Sequence, residues 1–185
     1  RFLKAQRGVS LTRSLFFGYV QHQPLFEELL GAYGPRTYLF LFQNNQELRA
    51  TGGFIGTYAL LEMSHGHRRR FFVDGIFNPD GHLSENIVPP EPIQKISAGW
   101  SLHDSNWFPD FPTSARKMLW FYEAAGGPTM DGVVTVNATL VPKILQILGP
   151  IDMSAYGKTI NAENFLFETQ KIVEYEYDTT QNNPK

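Results

Sequence analysis

The sequence predicts an α/β fold, a mixed β-sheet covered by helices on both faces in a three-layer α-β-α sandwich, on three observations. The run Tyr38-Leu39-Phe40-Leu41-Phe42 is continuous, β-prone and bounded by turn residues, the pattern of a strand buried on both faces. Two more strand-like stretches flank a tight turn at residues 64–67, which reads as a hairpin. Beyond residue 112, helix-like and strand-like segments alternate, the order that lays helices on the faces of a sheet.

Taken in order, Leu15, Phe16, Tyr19, Val20, Leu25, Phe26, Leu29 and Leu30 recur at helical spacing between Leu11 and Leu30. Pro24 interrupts or restarts that helix, and Gly31 and Gly34-Pro35 end it. After the first strand, a second is expected from Phe54 to Met63 and a third from Arg70 to Ile76. Asn78 to Pro92 holds Asn-Pro-Asp-Gly and Pro-Pro-Glu-Pro, the chemistry of a long surface loop, with one helical turn from Glu91 to Ile96. Thr113 or Ser114 is the expected N-cap of a helix through Trp120 and Tyr122 that Gly126-Gly127 closes. Val133 to Val136 reads as a buried strand, and Asn137 as the start of a helix covering Leu140 to Leu148, with Pro142 in its first turn and Gly149-Pro150 at its end. A last helix is expected from Asn161 toward Tyr175. These elements divide into a helical segment over 1–34 and an α/β domain over 35–185 that is expected to be incomplete at its C-terminus.

Composition removes several functions. The 185 residues carry 16 basic and 18 acidic side chains, a formal net charge of -2, which argues against a nucleic-acid binder. There are no cysteines, hence no disulfide, thiolate metal site or cysteine nucleophile. No apolar run approaches the roughly 18 residues that span a bilayer. No Gly-x-Ser-x-Gly, Walker loop or dinucleotide fingerprint occurs, so acyl transfer and nucleotide binding are disfavoured.

Two polar clusters remain. The first runs from Gln43 to Gly56 and packs amides, Glu47, Arg49, Thr51 and three glycines into fourteen residues right after a buried strand. Strand-end loops of α/β sheets form ligand crevices, and glycine lets a ligand approach backbone N–H groups. Arg49 offers a planar fork for phosphate, while Gln43, Asn44, Asn45 and Thr51 are the candidate substrate contacts. The plainer reading makes the same amides turn residues and Gly52-Gly53 a bulge. The second cluster runs from Trp100 to Pro112. Its Asp104 and Asp110 could hold a hard cation such as Mg²⁺, with Asn106 and Trp107 touching substrate; alternatively both carboxylates are caps and turn residues beside a buried tryptophan. The tip formed by His65, His67 and Arg68-Arg69-Arg70 reads as a charged, solvated turn, with anionic lipid or wall polymer as the functional option.

Several of these stretches carry a family likeness. Tyr38 to Asn45, Glu47-Leu48-Arg49, Thr51 to Gly56, Asp104 to Trp107, Pro109 to Ala115 and Asp131 to Val134 resemble the prokaryotic domain-of-unknown-function family numbered 4012. The resemblance implies an envelope protein with a membrane-spanning segment upstream and further chain downstream. A more distant likeness is to the LytR-CpsA-Psr phosphotransferases, which move glycopolymers from a polyprenyl pyrophosphate carrier to the cell wall. Arg49-Ala50-Thr51 is similar to their Arg-x-Asp-Thr, and Asp104-Ser105-Asn106 to their Arg-Asp segment, although Thr51 replaces an aspartate and His103 an arginine.

The resemblance implies an extracytoplasmic, membrane-anchored domain that binds a phosphate-bearing, polyprenyl-pyrophosphate-linked glycopolymer intermediate and, if catalytic, transfers it to the cell wall or surface. Arg49 and Asp104 are then the catalytic residues, and Asp104 with Asp110 holds Mg²⁺. The alternative is a non-catalytic surface scaffold or adhesion module whose polar clusters brace loops. A third reading, a cytosolic carbohydrate-active enzyme, needs Asp104 and Asp110 to face each other as acid and base.

Overall fold

The computed structural model describes residues 12, 13 and 16–171. Chain contacts divide the molecule into two compact units, residues 1–37 with 61–71, and residues 38–60 with 72–185. In the first unit, residues 16–21 are helical and helix α1 (Gln23–Leu29) follows. Pro24 lies in the first turn of α1, where its missing N–H costs nothing. Gly31, at φ 71°, ends the helix in the left-handed conformation. The Gly31 carbonyl accepts from His65 N–H at 2.8 Å and that of Leu30 from Gly66 N–H at 2.9 Å.

Four strands form a sheet in the order β3-β2-β1-β4: β1 (Arg36–Asn44), β2 (Phe54–Ser64), β3 (His67–Gly75) and β4 (Gly132–Asn137). β1 and β4 are parallel, with Tyr38 opposite Gly132 and Gln43 opposite Asn137. His65 and Gly66, both at positive φ, make the two-residue turn whose twist suits the β2–β3 hairpin. The sheet is therefore mixed and the α/β expectation holds. A second, two-stranded sheet pairs β5 (Ile151–Met153) with β6 (Lys158–Ile160), antiparallel, which the sequence reading missed because each strand is three residues long.

The core of the second unit gathers Leu39, Leu41, Ile55, Tyr58, Ile76, Trp100, Leu102, Met118 and Phe121. Helix α3 (Phe111–Ala124) supplies Met118, Phe121 and Tyr122, and Trp100 meets Phe121 edge-on at 5.3 Å. Helix α2 (Phe77–Gly81), helix α4 (Leu140–Leu148) and helix α5 (Phe165–Lys171) complete the described elements, with short 3₁₀ turns at Ile93–Lys95 and Leu102–Asp104 among them.

Several expectations need correction. β1 is fully buried only at Leu39, Leu41 and Gln43; Tyr38, Phe40 and Phe42 on its other side are half-buried, as is most of β4. An uninterrupted apolar run does not reveal how deep each side lies. Asn78 to Gly81 forms most of the one-turn α2 rather than open loop. The cap of α3 is Asp110, whose carboxylate accepts from Thr113 N–H at 2.9 Å, rather than Thr113 or Ser114. Asn137 closes β4 and Thr139 precedes α4. Asn161 stands ahead of α5, its side-chain Oδ1 accepting from the N–H groups of Glu163 and Asn164; Tyr175 lies outside the described residues.

Leu41 is fully buried at the centre of β1. Leu41→Ala is expected to cost about 3 kcal/mol, from lost burial and the cavity left behind. Urea unfolding should show a lower midpoint at unchanged slope.

Candidate functional site

The end of β1 sets the first cluster. Alternation along the strand carries Gln43 to the same buried side as Leu39 and Leu41, leaving it 2 % exposed. Its Nε2 donates to Thr51 Oγ1 at 3.2 Å, and its neighbour across the ladder is Asn137. The chain then turns through Asn44, whose Oδ1 accepts from Gln46 N–H and whose Nδ2 donates to Glu47, so that amide is spent within its own exposed turn. Gly52 and Gly53 return the chain to β2 at φ 123° and 144°, where only glycine is unstrained. A Cβ on Gly53 would lie 2.3 Å from the Asn44 carbonyl oxygen; one on Gly52 would lie 3.0 to 3.2 Å from the side-chain amides of Asn137 and Gln43.

The second cluster meets the first at two points. Asn106, fully buried, donates through Nδ2 to the Gly53 carbonyl at 2.7 Å. Arg49 donates through Nε to Asp104 Oδ1 at 2.9 Å and through Nη1 to the Leu48 carbonyl, with its guanidinium 5.4 Å from the centre of the Phe54 ring. The Asp104 backbone carbonyl accepts from the Trp100 indole at 2.9 Å. Gln43, Arg49, Thr51, Asp104 and Asn106 therefore belong to one assembly. Asn45 has a buried side-chain oxygen without a protein partner, as do Gln43 and Asn106. Trp107 packs against the core, and Asp110 is held at the exposed start of α3 by Thr113.

Two residues that the sequence reading left outside the site complete it. His103 places Nδ1 2.6 Å from Asp80 Oδ2 and Nε2 3.1 Å from Asp104 Oδ2. Asp80 comes from α2 and also accepts from the Leu102 N–H at 2.7 Å. The result is a line of alternating charge, Asp80, His103, Asp104, Arg49. Burial alone would lower the His103 pKa, but hydrogen bonds and charge from Asp104 and Asp80 reverse the effect and raise it from 6.5 to about 9. Burial likewise pushes Asp104 up, and the bonds from His103 and Arg49 outweigh it, leaving the carboxyl below its ordinary value. The sequence signal for His103 was its adjacency to Asp104; Asp80 was hidden in an Asn-Pro-Asp-Gly stretch that reads as a turn.

This geometry limits the chemistry. An imidazolium donating from both nitrogens is not a general base, so the 2.8 Å contact between Ser101 Oγ and His103 Nδ1 does not make an activated nucleophile. Asp104 and Asp110 do not act as a facing acid and base, since Asp104 is buried against two cations and Asp110 caps a helix on the surface. The same occupancy means the pair does not fit a Mg²⁺ site as it stands, and among the described residues no group of three or more His, Cys, Asp or Glu is arranged to hold a metal.

Beside this line of charge lies an open cleft of about 510 Å³ lined by Asp80 and His103 together with Ser84, Glu85, Asn86 and Ser101.

Residues 33–173 match a family described as "Protein of unknown function (DUF4012)". The chain belongs to the DUF4012 family. Both clusters of this DUF4012 chain fall inside the matched stretch. No curated protein and no solved structure matches the chain.

Two outcomes follow. Gly53→Ala should destabilise the protein by more than about 2 kcal/mol and by more than Gly52→Ala, whose Cβ meets side chains that can yield rather than backbone; thermal melts of both variants check the order. His103→Gln should cost about 3 kcal/mol, because two carboxylates lose the cation between them. A raised folded-state pKa stabilises fully below the unfolded value of 6.5 and is lost as pH climbs toward 9, so wild-type stability should decline across that window while the variant shows a flatter profile. Asp104, shifted the other way, contributes above its unfolded value of 3.8 and loses its contribution in acid.

Proposed function

We propose that this chain is a non-catalytic module of the cell envelope that binds the saccharide portion of an envelope glycopolymer in the cleft beside His103. The observation that carries the reading is the cleft's lining: carboxylates, an amide and hydroxyls at Asp80, Glu85, Asn86, Ser84 and Ser101 suit the paired hydrogen bonds that sugar hydroxyls make. Asp80 is held in place by His103 and by the Leu102 N–H, which spares a ligand the cost of ordering it. With acidic groups on its wall, the cleft favours neutral sugar over phosphate. The extracytoplasmic setting, with membrane attachment through a segment outside this chain, rests on the sequence likeness to envelope proteins. A chain of charge already neutralised within itself supports binding rather than transfer.

A second reading, binding and transfer of a polyprenyl-pyrophosphate-linked intermediate, is favoured by one observation: the Arg49 side chain keeps 24 % of its surface exposed, so the residue best suited to phosphate is not wholly withdrawn from solvent. Mg²⁺ has no part in this reading unless Asp104 exchanges its two cationic partners.

The test is titration of the protein with soluble oligosaccharides and, separately, inorganic pyrophosphate, followed by nuclear magnetic resonance. Under the saccharide reading an oligosaccharide shifts the amides around Ser84 to Asn86, and Asn86→Ala weakens binding about tenfold, the worth of one good hydrogen bond. Pyrophosphate binding that Arg49→Ala removes, with no saccharide response, would replace the first reading by the second.

A further inference from the structure

The first unit joins an exposed apolar helix to a basic hairpin tip. Along residues 16–30, Phe16, Phe17, Val20 and Leu25 are at least half exposed, and Tyr19, Phe26, Leu29 and Leu30 are close to it. A helix this apolar is ordinarily covered. Its aromatic groups are organised: Tyr19 and Phe26 lie 5.8 Å apart, and the Arg13 guanidinium sits 5.5 Å from the centre of the Phe17 ring. Two backbone hydrogen bonds, from His65 to the Gly31 carbonyl and from Gly66 to that of Leu30, fasten the C-terminal end of the helix to the hairpin turn. From that turn run His67, Arg68, Arg69 and Arg70, all exposed. The described residues of the unit hold five arginines against three glutamates. Glu28 is already paired with Arg36 at 3.1 Å, and Glu27 accepts from Gln23 and Tyr33.

We propose that this surface is a docking site for an anionic lipid bilayer, with the aromatic and aliphatic side chains of residues 16–30 entering the headgroup boundary and Arg68 to Arg70 meeting lipid phosphates. Charge complementarity chooses the occupant. A second copy docked through the same unit would cover the apolar helix but set the arginine tip against a surface with five arginines to three glutamates among its described residues. An acidic soluble partner would answer the arginines and leave the aromatics wet. A bilayer surface rich in anionic lipid supplies both an apolar boundary and fixed negative charge at one plane, and aromatic rings are suited to that boundary. Among the described residues no helix is long and apolar enough to cross a membrane, so the contact is that of a helix lying on the surface. The inference is independent of the saccharide cleft, which belongs to the other unit.

The experiment is vesicle sedimentation of the whole chain with phosphatidylcholine alone and with phosphatidylcholine containing about one quarter phosphatidylglycerol, at low and at physiological salt. The expected result is binding to the anionic vesicles that falls with salt. Arg68→Glu with Arg69→Glu should weaken it more than about tenfold, and Phe16→Ser with Phe17→Ser should weaken it without removing the salt dependence. Both pairs are solvent-exposed, so each variant should keep the wild-type circular dichroism spectrum. Equal binding to the two vesicle types, or no loss in the arginine variant, would overturn the proposal. So would the absence of vesicle binding together with a dimer in light scattering that the phenylalanine variant disperses, an outcome that assigns the face to a second copy.

Discussion

A half-buried imidazolium between two carboxylates is the constraint on which the candidate site depends. Asp80 and Asp104 both face His103 and outweigh the cost of its partial burial, and Asp104 in turn answers Arg49. Those groups come from three stretches far apart in sequence: the loop before β2, helix α2 and the turn at Leu102–Asp104. Removing His103 leaves Asp80 without its cation, and removing Asp104 leaves Arg49 without its carboxylate, and a charge left without its partner in a poorly solvated place is far costlier than the pair was favourable. The line of charge thus fixes where three loops lie relative to one another more than it adds net stability.

A second, uncharged clasp works alongside it. Asn106 reaches the Gly53 carbonyl, Gln43 reaches Thr51, and the double glycine lets the backbone pass close to Asn44 without collision. Three side-chain oxygens, on Gln43, Asn45 and Asn106, are left as buried acceptors. Buried carbonyl oxygens accept hydrogen bonds and cannot donate them, so the clasp is unsuited to receiving an anion. The solvent-facing hydrogen-bonding groups lie elsewhere, around Ser84 to Asn86, and that separation of inner brace from outer cleft shapes the functional reading.

Much of this was legible in the sequence where physics is local. The apolar run at residues 38–42, the hairpin with His65-Gly66 at its turn, the helix closed by Gly126-Gly127 and the one closed by Gly149 all carry their cause within a few residues. Density of polar residues was enough to mark both clusters, and it brought Arg49, Asp104, Gln43 and Asn106 to notice. Partnership was not legible. That Arg49 faces Asp104, fifty-five positions away, depends on how two loops cross in space, and a guanidinium seeking a phosphate looks the same in sequence as one seeking a carboxylate. Asp80 was missed because Asn-Pro-Asp-Gly is turn chemistry in isolation and became helix only with tertiary support. Asp110 capped a helix one turn earlier than Thr113 suggested, because Pro112 is well placed inside a first turn.

The position of β3 at the rim of the sheet has its own consequence. Among the described residues no strand pairs with the outer side of β3, and Phe71, Phe72 and Val73, each two-fifths exposed or more, would make such a rim adhesive toward its own kind. Immediately before them stand Arg68, Arg69 and Arg70. Two copies aligning their rims parallel and in register would bring three positive charges against three, so the residues that make the tip basic also disfavour that mode of edge-to-edge self-association.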